Sequence, residues 1–145
     1  KRGRALKEAV ESFSEGDIAA CCELFQPNLK LAVVGYCWGG SLAWRMACRH
    51  SFFDAAVCYY GGEIPSLSSE SPRCAVQAHF GRNDKTIPMP DVEKFMSLRA
   101  EVETHVYDSG HGFSCHHRSQ YHQSSAELAS KRVDHFLNQH IENTN

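Results

Sequence analysis

Short apolar runs alternate along this chain with longer stretches that carry the period of a helix. Residues 31–36, 55–61, 74–81 and 103–107 are rich in Val, Ala and aromatic residues and are bounded by Gly, Pro or polar positions, which predicts four buried strands. Between them, residues 41–50 set Leu42, Ala43, Met46 and Ala47 on one stripe, and residues 91–102 do the same with Val92, Phe95, Met96 and Leu98. Residues 120–141 carry a third stripe of Ala126, Ala129, Val133, Phe136, Leu137 and Ile141, opposite a polar face. Near the start, residues 6–13 read as one amphipathic piece, and Asp17 after Gly16 reads as the N-cap of a short helix ending before Pro27. Residues 66–71 read as an irregular surface loop. Strands that alternate with helices need crossover connections, so the expected class is α/β: a mostly parallel sheet covered by helices on both faces.

The length of 145 residues gives an expectation of one domain, and 42% apolar with 22% charged residues is the balance of a globular chain. Fifteen Lys and Arg against seventeen Asp and Glu leave a formal charge of -2, with no block of one sign that would favour nucleic acid. Lys1, Arg2 and Arg4 are read as a solvated face rather than a basic arm. Seven cysteines form an odd number without framework spacing, which points to reduced thiols and a cytoplasmic location. The apolar run 31–40 is far shorter than the ~20 residues that span a bilayer, so no membrane partner is expected.

The chemistry concentrates in Gly35-Tyr36-Cys37-Trp38-Gly39-Gly40, where a predicted strand gives way to a predicted helix. This is the pattern of a nucleophile elbow with sulfur in place of oxygen. Its central residue is strained, and small residues two before and two after it let strand and helix approach. Cys37 would then sit at a helix N-terminus, which favours thiolate, and the Trp38 backbone N–H could hold an oxyanion. On such a fold an acid and then a histidine follow the nucleophile along the chain. Asp84, in Gly81-Arg82-Asn83-Asp84-Lys85, follows the third strand, and His111, in Ser109-Gly110-His111-Gly112-Phe113, follows the fourth. Tyr36, Tyr60 and Glu63 lie near the same edge and are candidates for contact with substrate.

These patterns together resemble the dienelactone hydrolase family, whose members carry Gly-Tyr-Cys-x-Gly-Gly, an Asp loop ending in proline and a Gly-His-x-Phe turn. The resemblance runs from about Gly16 to Ile141 and includes Ala56-Val57-Cys58-Tyr59-Tyr60-Gly61 and the spaced Arg118, Tyr121, Ala126, Arg132 and Phe136. It implies an α/β-hydrolase fold with Cys37 as nucleophile, Asp84 as orienting acid and His111 as general base. It also implies a small ester or lactone substrate, and neither metal nor organic cofactor. Members of that family extend further upstream, where they supply the first strands, so residues 1–145 are read as a partial domain whose N-terminal strands are missing. The sheet edge left bare would need a further segment or a second copy to cover it. Where the archetypal enzyme has a substrate-binding arginine, four positions after its histidine, this chain has Cys115.

Cys115, His116, His117, His111 and His122 include soft ligands, but no Cys-x-x-Cys or His-x-x-x-His spacing supports a metal site. Adjacent Cys21 and Cys22 are read as helix-packing residues, because a bridge between sequence neighbours is strained. The rival to an enzyme is an inactive protein of the same fold serving as a binding or scaffold module.

Overall fold

The computed structural model describes residues 2–25 and 29–142. Four parallel strands form one sheet in the order β1 (Ala32–Tyr36), β2 (Ala55–Tyr59), β3 (Ala75–Gly81) and β4 (Glu103–Tyr107). Each strand pairs with its sequential neighbour, with Tyr36 opposite Tyr59, Tyr59 opposite His79 and His79 opposite His105. The helices are α1 (Arg2–Cys22), α2 (Trp38–Arg49), α3 (Met89–Leu98) and α4 (Gln123–His140). Their placement follows from the alternation of side chains along β3. On one face Phe80 meets Phe95 of α3, which in turn meets Trp44 of α2. On the other, the Gln77 amide reaches the Arg132 carbonyl of α4, and the Arg132 guanidinium lies over Tyr107. Helices thus cover both faces of the sheet.

The α4 face carries a buried polar chain that the apolar pattern could not announce. The Gln77 amide nitrogen donates to Glu103, so its carbonyl accepts from His79 Nε2–H, and His79 Nδ1 accepts from the Tyr107 hydroxyl. With both ring nitrogens occupied and no solvent access, His79 is held neutral; burial lowers its pKa to about 3. Tyr36, Tyr59 and His79 stack in a row, with centroids 4.6 and 4.4 Å apart, and form a stiff aromatic floor on that face.

The start of the chain departs from expectation. α1 is one helix that passes through Gly16 and Asp17 instead of two pieces divided there. Its Glu11 and Glu15, four residues apart on one face, pair with Arg45 of α2 at 3.4 and 2.9 Å, and Glu15 also pairs with Arg49 at 2.9 Å. Both anchors lie just before Gly16, so the helix is already held against α2 where the chain reaches Asp17. Pro27 lies outside the described residues, as do Lys1 and the side chains of Arg2 and Arg4.

Other boundaries shift by a few residues. α2 begins three residues early, directly after Cys37. α3 starts at Met89 behind extended Pro88 and ends before Arg99, so residues 99–102 form a turn into β4. α4 begins at Gln123 because residues 112–121 run through a series of tight turns. Within the expected loop, Pro65–Leu67 form one 3-10 turn. Cys22 is buried, and all seven thiols are free.

The outer edge of β1 pairs with no other described strand. Val34 and Tyr36 are 42% and 53% exposed there. A cavity of about 380 Å³ lies beside them, lined by Ile18, Cys21, Cys22, Phe25, Val33 and Phe53 among others.

Candidate active site

The turn from β1 into α2 sets Cys37 in a conformation few side chains adopt, with φ 56° and ψ -117°. Three backbone bonds impose it. The Cys37 N–H donates to the Tyr59 carbonyl at 2.9 Å, and the Cys37 carbonyl accepts from Gly40 and Ser41 at 3.0 and 3.2 Å. A Cβ on Gly35 would lie 1.9 Å from the Gly39 carbonyl oxygen, so position 35 admits glycine alone. The sequence assigned the matching constraint to Gly39, but a Cβ there meets nothing within 4 Å. The crowded partner is Gly40, whose Cβ would lie 2.4 Å from the Tyr59 carbonyl oxygen, because the helix presses against the end of β2 one residue further along.

Asp84 and His111 converge on this turn from the ends of β3 and β4. His111 Nε2 lies 3.1 Å from Cys37 Sγ, and His111 Nδ1 lies 2.7 Å from Asp84 Oδ2. A carboxylate only accepts, so Nδ1 carries the hydrogen and Nε2 is left to the sulfur. Asp84 is 5% exposed, and two further bonds fix it: its Oδ1 accepts the Thr86 N–H at 2.8 Å and the Thr86 hydroxyl at 2.7 Å. His111 is anchored by Phe113 two residues on, which is fully buried and packs on Tyr60 and Tyr107 with centroids 5.3 and 4.9 Å away. Tyr60 sets its ring 5.2 Å from that of His111 and holds a φ of 37°.

The electrostatics follow from these contacts. The hydrogen bond from His111 is the main force that holds the Cys37 thiol below the usual range; partial burial opposes it, and the Trp38 backbone N–H and the Arg118 charge assist. The His111 pKa is raised, first by Cys37 and then, against burial, by Asp84. Each partner therefore favours the charged form of the other, a thiolate beside an imidazolium, and the two shifts express one shared interaction.

A cavity of about 480 Å³ opens beside His111, lined by Thr86, His111, Arg118, Ser119 and Gln120. Arg118 enters it by lying against Gly112, where a Cβ would meet its Cδ at 2.8 Å and where φ is +78°. Cys115 leaves no cation at its own position, and the tight turns of this loop bring one three residues later to the His111 side.

The remaining candidates divide. The Trp38 backbone N–H, at the start of α2, helps to hold the Cys37 thiol low. Tyr36 stands beside Tyr60 with centroids 6.3 Å apart. Glu63 is held by two cations: its carboxylate pairs with Arg45 Nη1 at 2.8 Å and Lys7 Nζ at 3.1 Å, which ties α1 to α2. His116 stacks on Tyr121, and His122 bonds Ser125. Among the described residues no three such side chains gather as metal ligands, and no helix is long and apolar enough to cross a membrane.

With this geometry in view, comparison with known proteins is informative. The model of the dienelactone hydrolase family matches residues 4–141. The chain belongs to the dienelactone hydrolase family. Its similarity to the Yersinia pestis protein named "Putative carboxymethylenebutenolidase" is 33% identity over 126 residues, covering 77% of this chain and 47% of that protein. The carboxymethylenebutenolidase of Pseudomonas putida is 33% identical over 116 residues, covering 76% of this chain and 49% of the other. The crystal structure titled "Putative Dienelactone Hydrolase" from Klebsiella pneumoniae superposes with a TM-score of 0.69 at 28% identity, over 75% of this chain and 52% of that one. The sheet and its helices are those of an α/β-hydrolase. This dienelactone hydrolase family chain spans about half the length of the curated relatives it matches.

Proposed function

We propose that the chain carries the nucleophile, acid and base of a hydrolase that cleaves a carboxylic ester or lactone. One observation supports this above the rest: the Cys37 sulfur, His111 imidazole and Asp84 carboxylate stand in line at 3.1 and 2.7 Å, on three different loops of a dienelactone hydrolase family fold. That order of contacts, with the middle group bonded through both nitrogens, is what nucleophilic acyl transfer requires.

The Cys37 thiolate attacks the carbonyl carbon of the substrate, and the carbonyl oxygen takes up the electron pair. The Trp38 N–H, at the start of α2, donates to that oxyanion. As the C–O bond breaks, His111 gives its Nε2 proton to the departing alkoxide and leaves a thioester on Cys37. His111, neutral again, then takes a proton from water as the oxygen adds to the thioester; the C–S bond of that intermediate breaks, the carboxylic acid departs, and the Cys37 thiolate is left beside the His111 imidazolium. Asp84 holds the Nδ1 hydrogen throughout and stabilises the imidazolium that each step forms. Arg118, at the wall of the cavity, offers a positive charge to a substrate that bears a carboxylate. Every step uses groups of this chain and water. Seven free thiols suit a reducing, cytoplasmic setting.

The test is turnover of a simple aryl ester by the protein and by Cys37→Ala. Hydrolysis should fall to the uncatalysed level in the variant, and unchanged turnover would remove Cys37 from the mechanism. A binding or scaffold role instead predicts no turnover by either protein.

A further inference from the structure

The hydroxyl of Thr86 occupies a position the three reacting groups leave unexplained. Its Oγ1 lies 2.7 Å from Asp84 Oδ1 and 3.1 Å from His111 Nδ1, so it touches both members of the acid–base pair at once. A hydroxyl has one hydrogen and two lone pairs. The ionised carboxylate can only accept, so the hydrogen goes to Asp84 and a lone pair is left facing His111. The Thr86 backbone N–H donates to the same Asp84 oxygen at 2.8 Å, which fixes where the hydroxyl sits.

We propose that Thr86 is a positioning residue of this site: its hydroxyl clamps Asp84 Oδ1 and shares the His111 Nδ1–H with Asp84 Oδ2, so that two oxygens rather than one hold the imidazole. The consequence is rotational. With Asp84 alone, the ring could swing about a single hydrogen bond and the Cys37 contact would loosen. With a second acceptor on the other side of the Nδ1–H, Nε2 stays aimed at sulfur. The imidazolium gains most, because its Nδ1–H carries more positive charge than that of the neutral ring. The charged groups bordering Thr86 are Asp84, His111 and Arg118 on one side and Asp91 and Lys94 on the other. Among the described residues, only Asp84 and His111 are bonded to the hydroxyl.

This inference rests on the proposed hydrolase reading for its effect on turnover, but not for its effect on the thiol. Thr86 is exposed, so Thr86→Val removes the hydroxyl at nearly constant shape without disturbing the core, and Thr86→Ala does so without the branched side chain. Thr86→Ser keeps the hydroxyl. Two quantities are read for each protein: the pH dependence of Cys37 alkylation by iodoacetamide, and kcat and KM for an aryl ester. The Val and Ala variants should both move the alkylation profile to higher pH and lower kcat roughly tenfold with KM within about twofold, as expected for the loss of one hydrogen bond to a charged group. Thr86→Ser should restore both. A wild-type alkylation profile in Thr86→Val, or Ser as impaired as Val, overturns the proposal. Should Cys37→Ala retain turnover, the hydrolase reading fails while the alkylation profiles still decide the role of Thr86.

Discussion

His111 Nε2 lies 3.1 Å from Cys37 Sγ although 74 positions separate the two residues along the chain. Neither side chain needs to move for a proton to pass between them. Each is fixed from behind, Cys37 by the strained turn into α2 and His111 by Asp84 and the buried Phe113.

The contact sets the reactivity of the thiol. Because the His111 hydrogen bond is the main cause of the lowered Cys37 pKa, thiolate should form at lower pH than in an ordinary cysteine. The rate of Cys37 alkylation should therefore rise at a lower pH than that of a small thiol. In His111→Ala the stabilising partner is gone while burial remains, so the rise should move up to or beyond the ordinary thiol range. Rates measured across the pH range check both the position and the direction of the move.

The turn makes opposite demands at two glycines. Gly35→Ala puts a methyl group into the Gly39 carbonyl, a backbone atom that cannot yield, and should cost at least ~3 kcal/mol and most of the soluble, natively folded protein. Gly39→Ala meets open space on a helix and should cost under ~1 kcal/mol. Soluble yield and near-UV circular dichroism distinguish the two.

Among the described residues no strand pairs with the outer edge of β1, and this predicts the behaviour of the 145-residue chain. A strand with unpaired backbone groups beside exposed Val34, Tyr36 and Phe25 is a template for further pairing. The 145-residue chain should elute above the mass of a monomer or unfold in urea without a single cooperative step. A monomer with one sharp transition would contradict this.

The central strands were legible because burial leaves short runs of Val, Ala and aromatic residues; residues 103–107 were recovered to the residue, but only Tyr107 of that strand is buried and β1 buries only Gly35, so the expectation of four buried strands holds for β2 and β3 alone. The elbow was legible because its glycines and its place between strand and helix are local facts. What escaped depends on partners distant in sequence. Asp17 has the chemistry of a cap, but it falls inside α1, which Glu11 and Glu15 just upstream hold against Arg45 and Arg49, a relation no period reveals. The pairing of Glu63 with Arg45, 18 positions upstream, is another such relation. Arg118 was visible only as one of the spaced residues of the final segment, and the tight turns of residues 112–121 bring it to His111. Thr86 did carry a signal: an Asp side chain regularly accepts the backbone N–H two residues on, and that local rule would have placed Thr86 against Asp84.

The most direct test is site-resolved labelling by an acyl-donating ester, read by peptide mass spectrometry in the protein and in His111→Ala. Burial pushes the Cys48 and Cys74 thiols up to about 12 and about 11 and also raises Cys58, so these are poor nucleophiles near neutral pH. Acylation should appear at Cys37 first and be strongly suppressed in His111→Ala. Equal labelling of all seven cysteines, or labelling at Cys37 that ignores the loss of His111, would contradict the account.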